Sequence, residues 1–114
     1  IPPGVEVYEV NGPFFFGAAD KIRDVLGVTS KKPKVFILRM RNVPAMDASG
    51  MRVLDDLHDS FSRQGIRFLI AGIHAQPLVA LDRAGRLERY GEENFVADLD
   101  EGLARAREIL EAHH

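Results

Sequence analysis

The chain has 114 residues, with 15 Lys and Arg against 17 Asp and Glu, a formal net charge of −2 at neutral pH, and no cysteine. Its 46% hydrophobic and 28% charged residues are globular values that exclude disordered and collagen-like polymers, and the near-neutral balance gives no electrostatic case for nucleic acid as a partner. Without Cys there is no disulfide framework, thiolate metal site or redox pair, which favours a reducing compartment, and a chain of this size buries roughly two-thirds of its unfolded surface around one core.

Residues 1–112 are expected to form one domain. The opening Ile1-Pro2-Pro3-Gly4, without an initiator Met, suggests a segment cut from a longer chain. The closing His113-His114 is either native or the remnant of a purification tag, and it is set aside from fold and metal reasoning. Val5 to Val10 mixes Val and Tyr with Glu6 and Glu9, as a half-exposed or edge strand does. Asn11-Gly12-Pro13 is a turn signal, followed by a short Phe14-Phe15-Phe16 strand that makes an antiparallel edge with the first. Ala18, Ile22, Val25 and Leu26 fall at helical spacing before Gly27, and a basic loop runs to Lys34. Val35-Phe36-Ile37-Leu38 has no polar interruption, which predicts a central strand covered on both faces.

Beyond a Pro44 loop, Met51, Leu54, Leu57, His58 and Phe61 form a helical stripe, with Arg52, Asp55, Asp56, Asp59 and Arg63 on the opposite, solvated side. Gly65 stops that helix, and Ile66 to Ala71 reads as a second buried strand. Pro77 suits the first turn of the next helix, which turns Leu78, Leu81 and Ala84 inward and ends near Gly85. Phe95-Val96 suggests a brief last strand, after which Asp98 or Asp100 caps a helix carrying Leu103, Ala106, Ile109 and Leu110 on one side. The alternation of strand and helix predicts an α/β fold: a small mixed, mainly parallel sheet packed with about four helices, joined by right-handed crossovers.

The sequence holds no phosphate-binding lysine loop, no dinucleotide fingerprint, no nucleophile elbow and no metal-ligand spacing around His58 or His74. His58 reads as a hydrogen-bonded residue at the core edge, and Asp55, Asp56 and Asp59 as a solvated face without the burial that acid–base work needs. The strongest local feature is Pro44-Ala45-Met46-Asp47-Ala48-Ser49-Gly50 at a strand-to-helix junction. Asp47 suits an N-cap, and Ser49 and Gly50 then lie in a first turn whose free N–H groups could meet an anion or a partner, or simply begin a helix. Phe14-Phe15-Phe16 is divided by strand alternation, so the rings either pack in the core or leave an apolar patch for another domain. Lys31-Lys32-Pro33-Lys34 is either a solvated loop or a contact for anionic lipid headgroups.

Taken together these landmarks resemble a known family. Gly12-Pro13-Phe14-Phe15-Phe16-Gly17-Ala18-Ala19 is similar to the "GPLFFA-A" opening of the STAS domain of SulP (sulfate permease) anion transporters. Val43-Pro44-Ala45-Met46-Asp47-Ala48-Ser49-Gly50 resembles that family's "VP-hydrophobic-D-[ST/A]-[ST]-G" helix start. Gly65-Ile66 through Ala71-Gly72, Arg83-Ala84-Gly85 and Gly91-Glu92-Glu93-Asn94-Phe95 follow its later landmarks in order. The short Gly27–Lys34 connection is similar to bacterial members.

The resemblance implies a non-enzymatic regulatory and assembly domain at the cytoplasmic face of the bacterial inner membrane, below a secondary transporter of sulfate, bicarbonate or dicarboxylate. Its implied partners are the transmembrane domain of the same transporter, a second copy and a soluble regulatory protein, with Asp47, Ala48, Ser49, Gly50, Phe15 and Phe16 as binding residues. No catalytic residue, metal or cofactor is implied beyond the weak nucleotide binding proposed across STAS domains, expected at the same helix start. The alternative branch is a free-standing anti-sigma-factor antagonist, switched by phosphorylation of a serine just after the motif's Asp; here that position is Ala48, followed by Ser49. A third reading, a small hydrolase using Ser49, lacks an evident base.

Overall fold

In the computed structural model, residues 1–11 and 32–112 are described. The expected Phe14–Phe16 strand, the antiparallel edge it would make and the Ala18–Leu26 helix lie outside the described residues.

Val35, Phe36, Ile37 and Leu38 are all wholly buried, as their uninterrupted apolar run requires. They begin strand β2 (Val35–Asn42), which pairs in parallel with β1 (Val5–Asn11) on one side and β3 (Arg67–Ala71) on the other. A two-residue β4 (Phe95–Val96) adds to β3 opposite Ile70 and Ala71, so the described sheet has the order β1-β2-β3-β4. Alternation along β2 and β3 then divides the core into two layers. Phe36, Leu38, Met40, Phe68 and Ile70 face Leu54, Leu57 and Phe61 of α1 (Ala48–Gln64), Leu81 of α2 (Ala75–Arg83) and Tyr90 of α3 (Arg86–Tyr90). Val35, Ile37, Leu69, Ala71 and Val96 face Ala106 and Ile109 of α4 (Leu99–Ala112). The expected mainly parallel α/β sandwich with four helices is what the described residues form.

Local chemistry sets the element ends. Helix α1 stops at Gly65, whose φ of 73° is open to glycine, with its N–H on the Ser62 carbonyl and the Ile66 N–H on the Phe61 carbonyl. Of the two candidate caps for α4, it is Asp98 that accepts from the Glu101 N–H, at 2.8 Å. Helix α3 was not anticipated: its five residues are too short to show a helical period. Because the strands run parallel, the β2–α1, β3–α2 and β4–α4 junctions all open at the carboxyl edge of the sheet.

Candidate functional site

The β2–α1 junction is anchored by two buried side chains, Val43 and Met46, while Pro44 and Ala45 between them are exposed. Asp47 then takes an extended conformation (φ −104°, ψ −174°), and its Oδ1 accepts from the Gly50 N–H at 3.0 Å while its carbonyl accepts from Met51. The N-cap expected from the sequence is formed.

Each residue of the expected site has a distinct place. Gly50 is buried and its N–H is taken by the cap. Asp47, Ala48 and Ser49 are exposed, and among the described residues no group accepts from the Ala48 or Ser49 N–H. Phe15 and Phe16 lie outside the described residues. The exposed turn therefore offers two amides and one hydroxyl beside a carboxylate. That carboxylate already answers the positive end of the helix dipole, so the site suits a neutral hydrogen-bonding surface better than a free anion. Among the described residues no histidine or carboxylate hydrogen-bonds the Ser49 hydroxyl, so nothing there activates it as a nucleophile.

A second polar constellation departs from the sequence reading. Asp55 was expected on a solvated helix face, yet its side chain is only 15% exposed. Arg86 binds it through two nitrogens, Nε to Oδ1 and Nη2 to Oδ2, both at 2.9 Å, and the Tyr90 hydroxyl donates to Oδ1 at 2.5 Å. Arg89 bridges Asp55 to Asp59. Burial works to raise the Asp55 pKa, but the hydrogen bonds from Arg86 and Tyr90 and the charges of Arg86 and Arg89 outweigh it and hold the carboxyl below its ordinary value. Burial, then the hydrogen bond to that carboxylate, drives the Tyr90 phenol far above the ordinary tyrosine range. His58 packs against Tyr90 with ring centroids 4.7 Å apart and planes tilted by 31°, and approaches Asp59, the core-edge role expected of it. A phenol held neutral and a carboxylate saturated by donors are poor proton carriers; this cluster fastens α3 to α1. The sequence signal that could have revealed it is the pairing of Asp55 and Asp59, four apart, with the cations Arg86 and Arg89, three apart.

At the same carboxyl edge, a cleft of about 180 Å³ is lined by Arg39, Arg41, Gly72 and Asp98 among others. There Arg41 is paired with Glu9 and Asp98 caps α4. Among the described residues no group of three His, Asp or Glu side chains is placed to hold a metal, and no helix is long and apolar enough to cross a membrane.

A parallel sheet with helices on both faces and an exposed, capped helix start at its carboxyl edge defines a small α/β domain. The chain belongs to the STAS domain family, whose model matches residues 1–101, and within it to the SulP transporter domains. It is 35% identical to the structure of a SulP transporter STAS domain from Vibrio cholerae, with a TM-score of 0.88 over 98% of this chain and 88% of that one. A sulfate transporter family protein from Wolinella succinogenes is 46% identical, with a TM-score of 0.88 over 97% of this chain and 91% of that one. The putative sulfate transporter YvdB of Bacillus subtilis is 34% identical over 100 residues, 87% of this chain but 19% of that protein. The chain thus spans about a fifth of the length of the curated relatives it matches. A chain of the stressosome, at 17% identity and a TM-score of 0.69, shares the fold.

Proposed function

We propose that the domain is the cytoplasmic regulatory and assembly module of a SulP-type secondary anion transporter for sulfate, bicarbonate or a dicarboxylate, and that it acts by docking on the transmembrane domain of the same transporter. The observation that carries this reading is the start of α1, where exposed Ala48 and Ser49 stand beside a completed cap with no acceptor for their amides among the described residues. The placement among SulP transporter domains supports it. Self-association and a soluble regulatory partner would use the same exposed turn. Nucleotide binding there is weak on this reading, because Asp47 occupies the position that a phosphate would need.

The test is anion uptake by proteoliposomes of the transporter that carries this domain, with and without Ala48→Arg. An exposed first-turn substitution leaves folding nearly unchanged, so uptake should fall several-fold while the domain's unfolding midpoint stays in place. Uptake unchanged in the variant would overturn the docking reading. A free-standing partner switch would instead show labelled phosphate entering from a kinase and vanishing in Ser49→Ala.

A further inference from the structure

The start of α2 holds the end of β2 at one point and the β2–α1 loop at another. His74 Nε2 lies 2.5 Å from the Arg41 carbonyl oxygen, and because a carbonyl only accepts, Nε2 carries the proton. Gln76 reaches further, to Met46: its Oε1 accepts from the Met46 N–H at 2.8 Å, and its Nε2 donates to the Met46 carbonyl at 3.4 Å. One side-chain amide thus answers both polar groups of one backbone residue, as a neighbouring strand would, at a point where β2 has already ended at Asn42.

Met46 immediately precedes the Asp47 cap, and its side chain is buried, so the direction in which α1 begins depends on how Met46 is held. Nothing else among the described residues hydrogen-bonds the Met46 backbone. Pro44 cannot donate, and Pro44 and Ala45 stand exposed on the other side. Without Gln76 the loop would keep its apolar anchors but lose the bonds that fix the orientation of the peptide entering the cap.

We infer that Gln76 is the positioning residue of the docking site: it sets the β2–α1 loop so that the Ala48 and Ser49 amides are displayed in one arrangement before a partner arrives. The functional consequence rests on the docking reading above; the clamp itself is measurable without it. A prearranged surface loses less conformational freedom on association, so removing the clamp weakens docking while leaving every exposed contact residue in place.

Gln76 is exposed and Met is a good helix former of similar length, so Gln76→Met removes both bonds without disturbing α2. Amide exchange read residue by residue should show the Met46 N–H exchanging about tenfold faster, with Leu57 in the middle of α1 unchanged. Uptake by the transporter carrying the variant should fall several-fold. Unchanged exchange at Met46 overturns the clamp. Equal acceleration at Met46 and Leu57 also overturns it, since Gln76 would then act through global stability alone. Faster exchange at Met46 with uptake intact keeps the clamp and removes the docking reading instead.

Discussion

Asp47 carries two separable properties, a hydrogen-bond acceptor and a charge. The acceptor closes the first turn through the Gly50 N–H, so Asp47→Ala should destabilise the domain by about 0.5–2 kcal/mol, read as a lower urea midpoint at unchanged slope. Asp47→Asn keeps an acceptor of equal capping rank and should leave the midpoint within about 0.5 kcal/mol. It also removes the carboxylate that opposes anions, so phosphate or nucleotide titrated into Asp47→Asn should bind more tightly than to the parent domain. If affinity instead fell with the charge removed, the carboxylate would be contacting the ligand's cationic or hydroxyl groups. Asp47 was legible from sequence because its chemistry is local, contained in a residue and the one three places on. Gln76 was not, because its partner Met46 lies 30 positions away and no short pattern connects a helix's second residue to a loop on another βα unit.

Helix α3 shows what an element needs when it is too short to hold itself. Five residues cannot stabilise a helix by propagation, so α3 is held by burial of Tyr90 and by the bonds from Arg86 and Tyr90 to Asp55. Removing the acceptor leaves two donors facing it, so Asp55→Ala should cost about 2–3 kcal/mol, whereas Tyr90→Phe gives up one bond and should cost about 1–2 kcal/mol. Asp59 is exposed, and Asp59→Asn should leave the unfolding midpoint where it is. The depressed folded pKa of Asp55 fixes the sign of the acid response. Its stabilisation is complete above the ordinary carboxylate value of 3.8 and drains as pH falls through that value toward the lower folded one. The stability difference between the parent domain and Asp55→Asn should therefore be full at pH 7 and at pH 5, and shrink below pH 3.8. A difference that shrank already between pH 7 and 5 would contradict Asp55 as the titrating group. The apolar stripe of α1 identified its core face in advance, but the polar face was read as uniformly wet. Amphipathic spacing separates apolar from polar positions; it does not say which polar position a distant Arg and Tyr will cover.

The parallel order of β1, β2, β3 and β4 gathers the helix starts that follow the strands on one edge before any side chain is considered. Every βα junction of a parallel sheet opens at its carboxyl edge, where binding sites of open α/β sheets lie. The Asp47 turn, the His74–Gln76 grip and the Asp98 cap are three consequences of that one topology. The alternation of short strands and helices made this edge legible from sequence, while the pairing of the two-residue β4 with β3 was a matter of tertiary packing. At the amino edge α1 ends at Gln64 and β2 begins at Val35, and among the described residues no side-chain-capped helix start follows a strand there. Because the domain contains no cysteine, single cysteines can read which edge meets the membrane domain. In a transporter otherwise free of cysteine, Ala48→Cys and Ser49→Cys on the carboxyl edge should cross-link to the transmembrane domain through a short bifunctional reagent, and Gln64→Cys on the amino edge should not. All three sites are exposed, so each should be labelled equally by a small maleimide, which separates access from proximity. Cross-linking from Gln64→Cys with none from Ala48→Cys would move the interface to the opposite edge, and would leave the open amides of α1 as an ordinary capped helix start.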